Sequence, residues 1–418
     1  MHSKSRARRA LYGLFAAGAI SLTGNQLAAL AVPWFVLSTT GSAAQTGISA
    51  FFTILPTVLA AFFGGAIVDR LGYRRTSIIA DLASGLTVAL IPLLYGLGML
   101  PFWLLLALVF CGALLDAPGA TARRALVPEL ATAAGMSLER ASSLLQVVDR
   151  GARLLGAPLA GLLIAALGPQ QALWLNTLTF AISALLTAAA VPRLAAPPPA
   201  AAQPYLAQLA EGLRFIRRDR LTRTLVLIVL VTNFLDAAHA SVIMPVFAQQ
   251  RYGSALALGL IFGVSGGGAV LGALLYGMVG QRLSRRRVFI CAFMAVSLPM
   301  LALATLPPLP VALALQALAG LAAGPINPIL STLQYERVPA DMRGRVFGAT
   351  TAGAFVAMPL GVLLAGFLLE WTGLQAALLL TGICYLLTTG SMLLNSSLHE
   401  MDERRAEIVL QHEATTAP

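Results

Sequence analysis

The sequence predicts an all-α membrane protein whose twelve transmembrane helices form two pseudo-symmetric six-helix halves. Three observations predict it: the composition, a regular succession of long apolar runs, and the confinement of basic residues to alternate connections. Of the 418 residues, 58% are hydrophobic and 11% charged, whereas a soluble domain carries about 25% charged residues. A water-soluble chain of this size has no place to hide so much apolar surface, while in a bilayer the surrounding solvent is itself apolar. The 38 Gly and 23 Pro point the same way. Small residues let membrane helices approach closely, and neighbouring helices re-satisfy backbone groups freed by proline.

A helix needs about 20 residues to cross the hydrocarbon. The apolar runs that qualify are 11–38, 46–68, 76–98, 101–122, 142–167, 171–192, 222–249, 255–280, 288–306, 309–332, 345–369 and 373–396. Gly, Pro or polar residues punctuate most connections, and Pro307, Pro308 and Pro310 mark the turn between the ninth and tenth runs. The basic start, Lys4 to Arg9, leads into a run too long for a signal-peptide core and is read as the entry to the first span. Cys111, Cys291 and Cys384 all fall inside apolar runs without metal-ligand spacing and are expected as small buried hydrophobes.

The net charge of +11 raises the question of nucleic acid. The basic residues instead flank apolar runs. With the N-terminus inside the cell, the inner connections hold Arg70, Arg74, Arg75, Arg123, Arg124, Arg140, the stretch from Arg193 to Arg223, Arg282, Arg285, Arg286, Arg287, Arg337, Arg343 and Arg345. Only Arg251 falls outside. This positive-inside asymmetry supports the even count, cytoplasmic termini, and no nucleic-acid partner.

The expected organisation is a basic N-terminus over 1–10, a six-helix bundle over 11–192, a cytoplasmic linker over 193–221, a second bundle over 222–396 and a tail over 397–418. The linker begins Pro/Ala-rich and turns amphipathic and basic from Tyr205 onward, which predicts an interfacial helix.

The two halves share sequence. Gly65, Asp69-Arg70-Leu71-Gly72 and Arg74-Arg75 return at an offset of 212 as Gly277, Gln281-Arg282-Leu283-Ser284 and Arg286-Arg287. Asp116 and Pro128 correspond to Asn327 and Pro339 at an offset of 211. Gly and Pro recur in the fifth run (Gly151, Gly156, Pro158, Gly161) and the eleventh (Gly353, Pro359, Gly361, Gly366). Weak internal symmetry of this kind recurs in secondary transporters, whose halves rock about a central site.

On these motifs the chain resembles the major facilitator superfamily over nearly its whole length. Within it the chain looks most like the drug:proton antiporter group that includes macrolide and siderophore exporters. The likeness rests on Asp116-Ala117-Pro118, Arg124 to Glu129, Leu175-Asn176, Gly212 to Ile216 and Val338 to Gly348. The Gly156-Ala157-Pro158 stretch is similar to the glycine-proline motif of antiporters. The resemblance implies alternating access around a cavity between the halves, in a bacterial inner membrane. It also implies gating roles for Asp69, Arg70, Arg74 and Arg75, with Asp69 near the N-terminus of the eleventh span and Arg345 close by. Such a helix terminus stabilises a carboxylate by about 0.3–1 kcal/mol, a size suited to a reversible gate. Gln281 and Ser284 depart from the pattern, so the second copy of the gate does not carry the same charge.

Ionisable groups at membrane depth are costly and therefore candidates for function. Asp236 lies near the middle of the seventh span, with Asn233 and His239 one turn to either side on the same face. Protonation relieves most of the cost of a buried carboxylate, so Asp236 and His239 are the candidates for proton coupling or for the charge of a substrate. Asn25 and Gln26 interrupt the first span and, with Asn233, are candidates to line a cavity. Some proton-driven exporters have an acidic residue in the first span; this chain has none. Asp81, Asp116, Asp149, Arg150 and Arg153 are expected to form an inner charge network.

The expected function is proton-coupled export of small amphipathic compounds. The alternative is a dedicated exporter, symporter or facilitator of a metabolite, siderophore or lipid. No GxxxxGK[ST] nucleotide loop occurs, and no nucleophile–base or metal-ligand set argues for an enzyme; a receptor accounts less well for duplicated halves. No cofactor or metal is expected. The expected partners are the substrate, protons and membrane lipids, anionic ones included, and a monomer is the default assembly.

Overall fold

The computed structural model describes the backbone of residues 2–192 and 205–402, and their side chains except those at 2–3, 61–71, 205–206, 208 and 281. The described chain is helical throughout. The first six helices are α1 (His2–Thr40), α2 (Ala43–Leu71), α3 (Tyr73–Gly96), α4 (Phe102–Ala133), α5 (Leu138–Leu167) and α6 (Pro169–Ala190). The amphipathic α7 (Tyr205–Arg218) follows. The seventh span runs through α8 (Arg220–Ala238), a π-helical turn at His239–Ile243 and α9 (Met244–Tyr252). Next come α10 (Ala255–Val279), α11 (Arg285–Ala302), α12 (Leu309–Ala323), α13 (Ile326–Arg337), α14 (Arg343–Phe355) and α15 (Met358–Leu394).

Among the described residues eleven stretches are long and apolar enough to cross a membrane, and the last of them, Arg343–Leu394, runs for 52 residues. Gly373 breaks it with φ 78° and ψ 172°, so it supplies two spans, which makes twelve among the described residues. The turn expected at the prolines is present: α11 closes in a short 3₁₀ turn, Leu306 takes φ 52°, and Pro308 caps α12. Pro307 disfavours the right-handed helical region for the residue before it.

Helix starts follow local chemistry. Ser137, Asp219 and Ser284 each accept a hydrogen bond from the backbone N–H three residues on, at the heads of α5, α8 and α11. At the inner end of α6, Arg74 donates from Nε to Val191 O at 2.7 Å and from Nη2 to Ala188 O at 2.6 Å, satisfying carbonyls that a helix C-terminus leaves open. The large apolar side chains left outside, such as Leu185, Met278 and Leu387, are exposed on span surfaces. The three cysteines correct the expectation of burial: all are exposed. In an apolar solvent a thiol needs no protein core.

By contact the chain divides into two compact units. The first comprises α1 to α6 together with Ala240–Gly263 and Val362–Glu370. The second comprises α7, α8, His239, Val264–Gly361 and the described chain from Trp371. Inside the first unit Leu11, Leu14 and Phe15 pack on Leu126, Leu130 and Val191. Two further crossings there depend on glycine: a Cβ on Gly161 would lie 2.7 Å from Gly259 Cα, and one on Gly47 would lie 2.7 Å from Gly366 Cα. This is small-residue packing of membrane helices, in which van der Waals contact replaces a hydrophobic drive.

In the second unit, Leu221, Leu225, Phe289, Phe293, Ile329 and Tyr385 build the core. Polar clasps close its inner end. Arg285 grips Glu336 through two hydrogen bonds of 2.7 and 3.0 Å, Asp402 receives the Arg285 N–H at 2.8 Å, and Arg337 bridges Asp219 at 2.7 Å and Glu400 at 2.8 Å. Burial pushes the Asp219 carboxyl up, but the hydrogen bonds from Arg337 and Thr222 and the guanidinium charge outweigh it and hold its pKa below the ordinary 3.8.

Two outcomes are expected. Gly161→Leu forces α5 and α10 apart and destabilises the protein by about 1–3 kcal/mol, read as a lowered melting temperature in detergent. A depressed carboxyl stabilises the fold above its unfolded pKa, and that contribution fades as pH falls through the folded value. Asp219→Asn should therefore lower the melting temperature at pH 7, and the gap from the unsubstituted protein should narrow on acidification below about pH 4.

Candidate functional site

The first unit buries an ionic cluster between α1, α3, α4 and α6. Its centre is Arg123, on α4 two turns beyond Asp116 and nearly inaccessible at 6% exposure. Arg123 Nη1 donates to Asp81 Oδ1 of α3 at 2.8 Å and to Ser77 Oγ at 3.4 Å; Nη2 donates to Ser21 Oγ of α1 at 3.1 Å. The other Asp81 oxygen accepts from Ser183 Oγ of α6 at 2.7 Å. Asp81, fully buried, is thus satisfied on both oxygens.

Asp116 is held differently. Its Oδ2 accepts from Asn25 Nδ2 of α1 at 2.8 Å. Its Oδ1 lies 3.8 Å from Arg123 Nη2, beyond hydrogen-bond distance, and is buried with no hydrogen-bond partner. Two carboxylates therefore share one guanidinium, and geometry gives that guanidinium to Asp81.

Asp116 and Asn25 stand in the wall of a cavity of about 220 Å³ inside the first unit. Val32, Ile91, Val109 and Phe180 make much of the rest of the wall apolar, while Asn176, Thr53, Thr57 and Ser84 add further polar groups. Asn176 is fully buried; its Oδ1 accepts from Thr179 Oγ1 at 3.1 Å, while its Nδ2 meets no acceptor. Gln26 does not join this wall but packs on α5, where its Cβ would meet a Cβ on Gly156 at 2.8 Å.

The inner charge network expected from the sequence separates into two. Asp81 and Asp116 belong to the buried cluster. Asp149 pairs with the largely exposed Arg124 at 3.1 Å, and Arg150 and Arg153 are exposed. Arg123, the hub, was assigned from sequence only to the inner connection. The signal that could have found it is its spacing of seven from Asp116, which places both on one face of α4.

In the second unit, Asp236 is exposed and has no hydrogen-bond or ion-pair partner among the described residues. His239, at the start of the π-turn, is partly buried, and neither ring nitrogen finds a hydrogen-bond partner. Asn233 does not reach Asp236: it donates to Ala354 O at 2.9 Å, one of the carbonyls that the end of α14 leaves open.

Of the gating candidates, Asp69 and Arg70 have side chains outside the described residues, as does Gln281. Arg74 clamps the end of α6 as described, and Arg75 is exposed. Arg345 pairs with Glu211 of α7 at 2.7 Å. The amphipathic helix does more than rest at an interface. It presses on α14 so closely that a Cβ on Gly212 would collide with Arg345 O.

A twelve-span helical chain with a polar cluster and cavity among its membrane helices has the make-up of a major facilitator transporter. The nucleoside transporter NupG has this fold: its crystal structure superposes with TM-score 0.76 at 12% identity, covering 92% of this chain and 98% of that one. Residues 7–415 match the family described as transmembrane secretion effector, and the chain belongs to that family. The multidrug efflux pump Tap of Mycolicibacterium fortuitum is 36% identical over 399 residues, 94% of this chain and 96% of that protein. Macrolide efflux protein A of Streptococcus pyogenes is 21% identical over 376 residues, 89% and 92% of the two chains. The protein is thus a multi-pass bacterial inner-membrane secondary transporter of small molecules, and its family consists of transporters, not enzymes.

Removing the hub leaves the buried Asp81 carboxylate without its cation, and takes from Asp116 the guanidinium 3.8 Å away. Breaking a buried pair from one side costs about 3–5 kcal/mol, so Arg123→Ala should cut the yield of folded protein and lower its melting temperature sharply. Arg123→Lys, which keeps the charge but cannot bridge three partners, should fall between the two. Gel-filtration profiles and melting curves in detergent check both.

Proposed function

We propose that this transporter exports small amphipathic compounds in exchange for protons, a multidrug efflux function, and that Asp236 carries the coupling proton. The observation that supports this reading best is the isolation of Asp236. It is an acidic side chain near the middle of a span, with no cation paired to it among the described residues. A lone carboxylate at that depth is neutralised by a proton or by a positively charged ligand. Exchange between those two occupants is the elementary step of an antiporter.

His239 lies one turn further along the same helix and carries two ring nitrogens without partners, so it can take part in the proton's path or meet the substrate. The π-turn that begins at His239 supports a functional site here, since such insertions frequently sit at one. The likeness to the pump Tap supports a drug-like substrate range. The basic residues of the inner connections, the exposed Arg75 and Arg287 among them, would contact anionic lipid head groups. Asp69, with Arg70, Arg74, Arg75 and Arg345, would form the reversible inner gate, and the chain would work as a monomer of two six-helix halves.

Purified protein in sealed liposomes with an imposed pH gradient should move cationic amphipathic dyes against their own gradient. Asp236→Asn should abolish the dependence on the pH gradient while the protein still folds and inserts. Gradient-driven transport that survives in Asp236→Asn would remove Asp236 from the coupling. A folded protein that moves no dye would favour a dedicated metabolite as substrate.

A further inference from the structure

We infer that the cavity of the first unit is a recognition site for the head of a substrate that carries a protonated amine beside a hydrogen-bond-accepting oxygen, with Asp116 binding the amine and Asn176 the oxygen. The inference rests on the export reading above and names the substrate chemistry it would serve.

Charge is the first argument. Asp81, Asp116 and Arg123 are the ionisable groups of the cluster, and together they leave one negative charge uncompensated when both carboxyls are ionised. Asp81 holds the short contact to Arg123 and the Ser183 hydroxyl, so the excess resides on Asp116. Around Asp116, α1 contributes the uncharged Asn25, α3 contributes Asp81, and α4 itself contributes Arg123. No further charge reaches it from the described residues.

Unused bonding capacity is the second argument. Asp116 and Asn176 both line the cavity, and each carries a buried side-chain atom without a partner: the acceptor Asp116 Oδ1 and the donor Asn176 Nδ2. Buried polar groups are nearly always satisfied, and the exceptions call for an occupant. A proton on Asp116 removes the charge and leaves Asn176 unmet. Water alone meets Asn176 and leaves the charge, so it takes a proton and a water together to meet both. A protonated amine with a neighbouring hydroxyl, ether or carbonyl oxygen satisfies both at once, and the apolar walls take its hydrocarbon. The volume of about 220 Å³ suits such a head group; drug-sized ligands fill pockets of roughly 300–1,000 Å³, so the body of a larger substrate would extend beyond it.

The test is equilibrium binding to detergent-purified protein, which needs no pH gradient and so is independent of transport. The probes are 2-amino-1-phenylethanol, its neutral isostere 1-phenyl-1,2-ethanediol, and 2-phenylethylamine, which lacks the oxygen. The amino alcohol is expected to bind at least tenfold more tightly than the diol and several-fold more tightly than the plain amine. Asp116→Asn should weaken the amino alcohol at least tenfold, and Asn176→Ala should erase its advantage over the plain amine. Ala113→Leu, which fills the cavity and leaves every charge in place, should block all three probes and serves if Asp116→Asn fails to fold. Equal affinity for amine and diol, unchanged binding in the Asp116 or Ala113 variant, or no binding to folded protein overturns the proposal and leaves the cavity to protons and water. Binding that follows these rules in a protein that shows no gradient-driven export would uphold this site and refute the antiport reading.

Discussion

Hydrocarbon offers no hydrogen bonds, and that constraint decides where each polar group of this chain can stand. It requires helices, because only a helix satisfies its own backbone within one crossing segment. It then acts on side chains. Arg123 is tolerable among membrane helices because Asp81, Ser77 and Ser21 converge on it, each from a different turn or helix. The first unit is arranged around that convergence: α1, α3, α4 and α6 are held in one register by bonds that would be too costly to leave unmade. At the inner end, where water returns, the rules relax, and the pair of Arg124 with Asp149 adds little to stability.

The same constraint separates scaffold from function. Where every valence of a buried group is met, as at Asp81, the group is part of the frame. Where a valence is left over, the surroundings must supply a partner, and a transporter is a protein whose partners come and go. Among the described residues, the unmet oxygen of Asp116, the amide of Asn176, the ring of His239 and the unpaired Asp236 depart from full satisfaction, as do Thr187 Oγ1 and Arg286 Nε. The π-turn after Asp236 adds a local departure from regular helix at the same level of the seventh span. Rules of local consistency are expected to fail at working sites, because a site that is complete without its ligand has nothing to offer one.

Packing between helices uses a different currency. Leu and Val are as comfortable against lipid as against each other, so close approach comes from the absence of side chains. Gly161 with Gly259 and Gly47 with Gly366 bring backbones nearly into contact. Gly212 does the same for α7, turning an amphipathic segment that could merely float at the interface into a brace on α14, with Glu211 and Arg345 beside it. The connection between the two six-helix repeats is thereby tied to the eleventh span.

By itself the sequence determined the class of protein, the number of spans, and the duplication. These depend on run length, composition and charge counted along the chain, quantities that neighbouring residues in sequence carry. The position of Asp236 and His239 within the seventh span was legible for the same reason, since an ionisable residue in an apolar run stands out without knowledge of its neighbours; the role proposed for them rests on that position and on their lack of partners among the described residues. What the tertiary structure decided was pairing. Asp81, Asp116 and Asp149 look alike in sequence, each an acid near an inner helix end, yet one is a satisfied strut, one faces a cavity and one makes a surface pair. Asn233, one turn from Asp236, turns to a carbonyl of another helix instead. Rotation of a helix about its axis settles these choices, and in a bilayer that rotation is weakly encoded, because apolar residues suit both the lipid face and the protein face. Only the contacts between helices, made across long sequence separations, resolve it.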